Sequence, residues 1–277
     1  MRILLTNDDG FDSPGIILLA AALREAGHRV FVVAPASNQS GVSHSISFLN
    51  GPRKLTEIAQ DTWVCEGTPA DCVVIALLGG IPELCVVSGS GSIIVKAHPA
   101  SSAEFDHSNV VKRGSPPDAI VSGINRGANL GTDIIYSGTV AAARQGALFN
   151  IPSLALSLVE GAVWNWDMAV VFAAERLAEM LSYWKPDSFV NVNIPNIREI
   201  PSSLVHAFPS LRYYNDSIDV YCAPNGDQYC FPRVGEVNVI PEQGSDWGVV
   251  EGNCASISEI FIHPVLLESV KGKDSGG

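Results

Sequence analysis

Positive charge is scarce in this 277-residue chain: 17 Lys and Arg stand against 29 Asp and Glu, for a formal net charge of -12. With no surplus of cations to displace condensed counterions, that balance argues against a function built on nonspecific binding to DNA, RNA or an anionic membrane. Charged residues are only 17% of the chain and hydrophobic ones 47%, which excludes a disordered acidic tail and a coiled-coil rod. The six cysteines, Cys65, Cys72, Cys85, Cys222, Cys230 and Cys254, form no CxxC pair and no zinc-ribbon spacing with His. They read as small buried residues, with a Cys222 to Cys230 bridge left open because the spacing suits a hairpin. Long apolar runs are also missing. MRILLT at 1–6 opens like a signal peptide, but Asp8 and Asp9 cut it short, and Ala70 to Val95 is broken by Asp71, Pro82 and Glu83. A cytoplasmic protein with no membrane span and no nucleic-acid polymer as partner is therefore expected. No internal repeat and no GxSxG elbow occur.

What is present is a recurrent alternation of apolar strands and helix-forming runs. Residues 2–6 predict a strand, 16–26 a helix ended by Gly27, and 29–35 a second strand stopped by Pro35, together a βαβ unit. Further helices are expected at 72–79, 139–149 and 167–184, and further strands at 118–123, 152–158 and 189–195. This pattern predicts a mostly parallel α/β sheet flanked by helices, whose strand ends present binding loops. Beyond Pro201 the texture shifts to short aromatic and β-branched segments punctuated by Pro, Gly, Asn and Asp. That portion, 201–270, reads as a smaller β-rich extension after a catalytic domain at 1–200, with 271–277 a flexible tail.

The sharpest chemical signal is NDDG at 7–10, directly after the first strand. Asp8 and Asp9 are adjacent anions that need compensation. A divalent cation would supply it, and a solvated acidic turn is the competing reading. Asn7 offers an amide to a site or simply makes the turn. SGVSHS at 40–45 presents Ser40 and Gly41 in a loop suited either to phosphate oxygens or to an ordinary turn, with His44 a proton donor or a structural hydrogen-bonding group. GTPADC at 67–72 is explained by a Thr68 cap before Pro69. SGINRG at 122–127 offers Asn125 as a metal or substrate ligand and Arg126 as a phosphate ligand or an ion-pair partner. YSGTV at 136–140 places Ser137, Gly138 and Thr139 at a helix N-terminus, where free amides favour an anion.

In this order the motifs resemble the SurE family of survival-protein nucleotidases, over most of residues 1–200 and more loosely beyond. The resemblance implies a Rossmann-like domain, a β-rich C-terminal arm used in homodimer or homotetramer assembly, and a metal-dependent hydrolase. Its implied substrates are nucleoside 5'-monophosphates, with 3'-nucleotides and short polyphosphate as further candidates. It carries one divalent metal ion per subunit, Mg2+ or Mn2+, onto Asp8, Asp9, Ser40 and Asn125, and the phosphate neighbourhood onto Asn7, Gly41, Ser137, Gly138 and Thr139. The catalytic work falls to Asp8 and Asp9, with water at the metal as the attacking group and Asp8 as base, nucleophile or ligand only. A nonhydrolytic nucleotide-binding regulator is the alternative class. An aspartyl-phosphate enzyme ranks lower, since Gly10 stands where a DxD pattern needs its second Asp. One departure is the stretch of 49 residues between Cys72 and Ser122, read as an insertion within 80–117 that serves as surface segment, lid or oligomer contact. Its Asp106 and His107 form a catalytic-looking pair in isolation only.

Overall fold

The fold is taken from a computed structural model that describes residues 1–85, 114–240 and 242–263. The expected tail at 271–277, Asp106, His107 and most of the expected insertion lie outside the described residues. The strands are β1 (Arg2–Thr6), β2 (Arg29–Pro35), β3 (Leu55–Ala59), β4 (Thr62–Cys65), β5 (Ala119–Arg126), β6 (Ser153–Leu158), β7 (Ser188–Ile194), β8 (Leu204–His206), β9 (Arg212–Tyr214), β10 (Ser217–Cys222), β11 (Gln228–Arg233), β12 (Val237–Val239) and β13 (Ala255–Phe261). The helices are α1 (Pro14–Glu25), α2 (Pro69–Ile75), α3 (Gly138–Leu148), α4 (Trp166–Ser182) and α5 (Asp246–Glu251).

Nine strands form one sheet in the order β3-β4-β2-β1-β5-β6-β7-β13-β8. From β4 to β7 every neighbour pair is parallel, so the mixed α/β sheet flanked by helices is as expected. The antiparallel exceptions are β3 on β4 and β13 on β7. Parallel strands bury both faces, and β1 shows how the period of two divides the core. Ile3 and Leu5 pack with Val30, Val32, Ile16, Leu19 and Phe172 on the α1/α4 side, whereas Leu4 packs with Phe31, Val33, Val73 and Ile120 on the α2/α3 side. Among the described residues, no helix is long and apolar enough to cross a membrane.

Several expectations are refined. Helix α2 begins at Pro69, directly after a Thr68/Asp71 capping box, and passes into a π-helical turn over Ala76–Gly80 instead of running as one helix over 72–79. The hairpin β3–β4 was not foreseen. Strands β8 and β13 lie in the central sheet, so residue 200 does not mark its boundary; the β-rich part outside it is the pair β9–β12 and the hairpin β10–β11. Cys222 and Cys230 are free and exposed. They lie opposite Gln228 and Val220 respectively, offset by two positions in the ladder.

Two features position the loops above the sheet. The parallel strands run outward in both directions from β1 and β5, so a crevice opens at their C-terminal ends where the winding reverses. The described flanks of the 86–113 segment lie at the other edge: Gly114 donates to Pro82 O (3.0 Å) and Asp118 to Arg2 O (2.8 Å), at the start of β1. Helix α1 is pressed against β5, since a Cβ at Gly15 would lie 2.1 Å from the Ile124 carbonyl oxygen. Gly15→Ala is expected to lose about 1–3 kcal/mol through this overpacking, measured by urea denaturation; an unchanged midpoint would show that α1 tolerates displacement.

Candidate active site

The crevice is floored by the loop that leaves β1. Asn7 is fully buried and its Nδ2 donates to Gly10 O and to Ser13 Oγ, both at 2.8 Å. Both amide protons therefore brace the turn, in which Gly10 adopts φ +105. This is the turn role, and it leaves Asn7 without a side-chain N–H to offer a substrate. Its Oδ1 is buried and meets no donor among the described residues.

Asp8 follows, only 3% exposed. The Thr139 hydroxyl donates to Asp8 Oδ1 in a short hydrogen bond and lies 3.4 Å from Asn125 Oδ1. One hydroxyl has one proton, and the charged acceptor holds it, so Asn125 Oδ1 keeps its lone pairs. Asn125 is oriented that way because its Nδ2 donates to Gly127 O (2.9 Å). Asp9 Oδ2 accepts from the Arg126 amide (2.9 Å). Gly138 is where α3 meets this cluster: a Cβ there would lie 2.8 Å from Asp8 Cβ and 3.0 Å from Asp8 Oδ2. Only glycine lets the helix N-terminus approach the carboxylate so closely, while Ser137 caps the helix by accepting from Val140 N (3.1 Å).

The SGVSHS loop is drawn to the same place at three points. Gln39 N donates to Asp8 O (2.7 Å), Ser43 N to Tyr136 O (3.0 Å) and Ser43 Oγ to Ile135 O (2.7 Å). Ser40 and Gly41 form its exposed crest, where Gly41 has φ +78 and open space around it. His44 has the structural role: its ring contacts Gln145 Oε1 (2.9 Å). Burial chiefly, with Arg144 adding to it and Gln145 opposing, holds the imidazole below its usual range. A hollow of about 290 Å3 bounded by Gln39, Ser47, Glu66 and Thr68 adjoins this loop.

Electrostatically the pair of aspartates is under tension. Burial pushes the Asp8 carboxyl up, Asp9 adds to the rise, and the Thr139 hydrogen bond opposes it. Burial likewise raises Asp9 against the Arg126 amide and charge. The two carboxylates and the Asn125 carbonyl gathered here are hard oxygens suited to Mg2+ or Mn2+ and unsuited to a soft metal, while Ser40 stands exposed on the adjoining loop with its amide donating to Asn38 Oδ1 (2.7 Å). Such an ion would relieve the repulsion that raises both carboxyls, so the residues present fit the group.

A second layer escaped sequence reasoning. Asn129 N donates to Asn193 Oδ1 (2.7 Å), its Nδ2 to Ser157 Oγ (2.8 Å), and its carbonyl accepts from Asn191 Nδ2 (2.9 Å) and Asn193 Nδ2 (3.1 Å). Asp246 Oδ2 accepts from Gly131 N (2.8 Å) and its Oδ1 from Ser210 N (2.9 Å). Strand β7 and helix α5 thereby fix the loop that follows Asn125. The signal in the sequence was NVN at 191–193, a polar-apolar-polar alternation in a strand buried on both faces.

These geometries can be set beside known proteins. A family model described as survival protein SurE matches residues 3–92 and 88–208. A protein of Xanthomonas axonopodis pv. citri (strain 306), named 5'-nucleotidase SurE, is 37% identical over 273 residues, covering 95% of this chain and 90% of that protein. Its namesake in Xanthomonas oryzae pv. oryzae (strain PXO99A) is 36% identical over 98% of this chain and 95% of that protein. The crystal structure of the SurE protein from Aquifex aeolicus superposes with a TM-score of 0.74 at 31% identity, covering 96% of this chain and 95% of that one.

A carboxyl whose folded pKa lies above its unfolded value binds its proton more tightly in the fold, so the strain it imposes is full above the folded pKa and is relieved as pH falls through it. Metal-free Asp8→Asn is therefore expected to be more stable than the parent near neutral pH, the gap closing toward pH 4. Urea denaturation in EDTA at both pH values measures this. A variant less stable than the parent at neutral pH would refute the tension.

Proposed function

The chain belongs to the survival protein SurE family, and from that membership and the crevice above we propose that it is a divalent-metal-dependent phosphomonoester hydrolase acting on nucleoside monophosphates. The observation that carries the reading is the convergence of Asp8, Asp9, Asn125 and Thr139 at the C-terminal ends of β1 and β5, against the N-terminus of α3. The reading includes a Rossmann-like sheet, whose winding reverses at that crevice. The name 5'-nucleotidase carried by the Xanthomonas relatives supports the substrate class.

Asp8, Asp9 and Asn125 would hold Mg2+ or Mn2+, with Ser40 completing the set from the neighbouring loop. When bound, such an ion supplies a Lewis acid for a phosphoryl oxygen and activates a water for attack. The amides at the start of α3, that of Thr139 already turned toward Asp8, favour negative charge on the equatorial oxygens as it spreads in the transition state. Gly41 lets the opposite loop close over the same oxygens. Asp8 is the residue that would orient the attacking water or take its proton, because its carboxylate stands between the end of β1 and the N-terminus of α3. Thr139 holds that carboxylate at a fixed angle and thereby fixes the approach.

Phosphate release should be measured across 5'- and 3'-nucleoside monophosphates, ribose 5-phosphate and short polyphosphate, each with Mg2+, Mn2+ or EDTA. Metal-stimulated release from nucleoside monophosphates is expected. Asp9→Asn should lower kcat/KM by about a hundredfold or more, since losing even an outer partner of a metal ligand costs about 10- to 100-fold. Turnover that ignores the metal, or an undiminished Asp9→Asn enzyme, would refute the mechanism; nucleotide binding without phosphate release would favour a regulatory protein.

The hairpin β10–β11 supports assembly into a homodimer or homotetramer. One face carries Tyr221, Tyr229 and Phe231 around a hollow of about 700 Å3, and the other carries Ile218 and Val220; all five are more than half exposed. An isolated two-stranded hairpin with apolar residues on both faces is marginal in water and gains stability from a covering partner. Light scattering should give a dimer or tetramer for the parent and a smaller species for Tyr221→Asp/Phe231→Asp. Equal masses would remove the hairpin from the interface.

A further inference from the structure

Arg126 stands immediately after the proposed ligand Asn125, and its main chain and side chain do different things. The amide is committed to Asp9 Oδ2. The side chain is exposed, and among the described residues it forms no ion pair with a carboxylate. Instead its guanidinium lies 5.1 Å from the centroid of the Trp164 ring. Trp164 stacks on Trp166 at 5.6 Å with an interplanar angle of 16°. Trp166 in turn is packed against the start of α1, where a Cβ at Gly15 would lie 3.2 Å from its ring.

The loop bearing Trp164 is held on both sides by one residue. Asn196 Oδ1 accepts from Asn165 N (3.1 Å) and Asn165 Nδ2 (2.9 Å), while Asn196 Nδ2 donates to Val163 O (2.9 Å). Trp164 is bracketed between these anchors and is therefore preorganised. A cavity of about 490 Å3 opens beside the two tryptophans, bordered also by Leu18, Met168 and Arg198.

We infer that Arg126 and Trp164 form the platform on which the nucleobase of the substrate stacks, while its phosphate occupies the Asp8/Asp9 crevice one residue away. Planar guanidinium groups and indole rings both stack on bases, and a guanidinium already laid on an indole loses little further freedom when a base is added. On the other side of the crevice, no aromatic ring among the described residues lines the 290 Å3 hollow. Tyr136 is a competing ring next to the phosphate loop; it is 57% exposed, and among the described residues no cation or second ring stacks on it. The platform rests on the hydrolase reading for its substrate, and it makes the base a source of specificity beyond the phosphate.

The test compares kcat/KM for AMP with that for ribose 5-phosphate, which lacks a base, in the parent and in Arg126→Ala, Trp164→Ala, Trp164→Phe and Tyr136→Ala. The parent should prefer AMP. Trp164→Ala should reduce that preference about tenfold, in keeping with the usual strength of base stacking, with ribose 5-phosphate turnover nearly unchanged and Trp164→Phe retaining the preference; Arg126→Ala, whose lost charge also acts on Asp9, should slow both compounds and cut the preference for AMP about tenfold as well. In parallel, calorimetry with Ca2+ and AMP or ribose 5-phosphate reads base-dependent binding without relying on turnover. If no phosphate is released from either compound, the hydrolase reading fails; base-dependent AMP binding that is lost in Arg126→Ala and Trp164→Ala would still support the platform. Equal treatment of AMP and ribose 5-phosphate by the parent in both measurements would overturn the platform and leave the hydrolase intact. An equal loss on both compounds in Arg126→Ala would make Arg126 a phosphate ligand, and loss of the preference only in Tyr136→Ala would move the base to the opposite side; either overturns the proposal.

Discussion

Two adjacent carboxylates at the end of a buried strand set the terms for everything around them. Asp8 is nearly enclosed and Asp9 is half-buried, so neither is fully compensated by water. The fold answers with small dipoles: a threonine hydroxyl and the positive end of α3 for Asp8, and a backbone amide for Asp9. Each requires a close approach, which explains why Gly138 has no room for a side chain. These dipoles leave both carboxyls raised toward protonation. A site that is strained while empty gains most from a bound cation, and the stability withheld from the metal-free chain becomes affinity. The overall charge of -12 is then no obstacle to an anionic substrate, because the field that matters is set locally.

The carboxylates are only as well placed as the loops that meet them, and those loops are held from a distance. Asn125 and Arg126 belong to a strand end whose continuation is clasped by Asn191 and Asn193 on β7, while Gly131 is tied to Asp246 on α5. These groups lie in the interior, where an unpaired polar atom costs about 1–3 kcal/mol. Four hydrogen bonds around Asn129 satisfy most of the group at once. The C-terminal third of the chain thus contributes to the crevice without reaching it: β13 completes the sheet beside β7, and α5 locks the loop.

Legibility in sequence followed the physics of each element. Strands β1 and β2 are continuous apolar runs ended by Asn7 and Pro35, and such runs announce themselves because both faces are buried; β6 and β7 carry Ser and Asn among their apolar residues and were legible from the β-branched and leucine positions that remain. The hairpin β3–β4 did not, since β3 is largely exposed at the sheet edge and LTEIA carries no alternation that favours a strand over a loop. Strand β13 was hidden for a different reason: Ser256 and Ser258 are buried polar residues, and it follows a region whose turns suggest a separate extension. The ligand-bearing loops were visible as motifs, but their convergence was not. That Thr139 reaches Asp8 across 131 positions of sequence is a property of strand order, and no local window contains it. Asn7 is the converse case: its place beside two aspartates invites a chemical role, yet its two amide protons are consumed by the turn.

Arg126 shows how one position can belong to two layers of a site. Its amide must be there for Asp9 whatever side chain it bears, so the backbone role places no demand on residue type. The side chain adds its charge to the balance at Asp9, and its guanidinium lies outward on an indole held by a bracketed loop. Separating the two roles lets the chemistry of the carboxylates stay fixed while recognition varies one bond away. On the proposed reading, catalysis and recognition would meet at the end of β5 because the sheet reverses its winding there, with the Asp8/Asp9 cluster on one side of the strand and the Trp164 loop on the other.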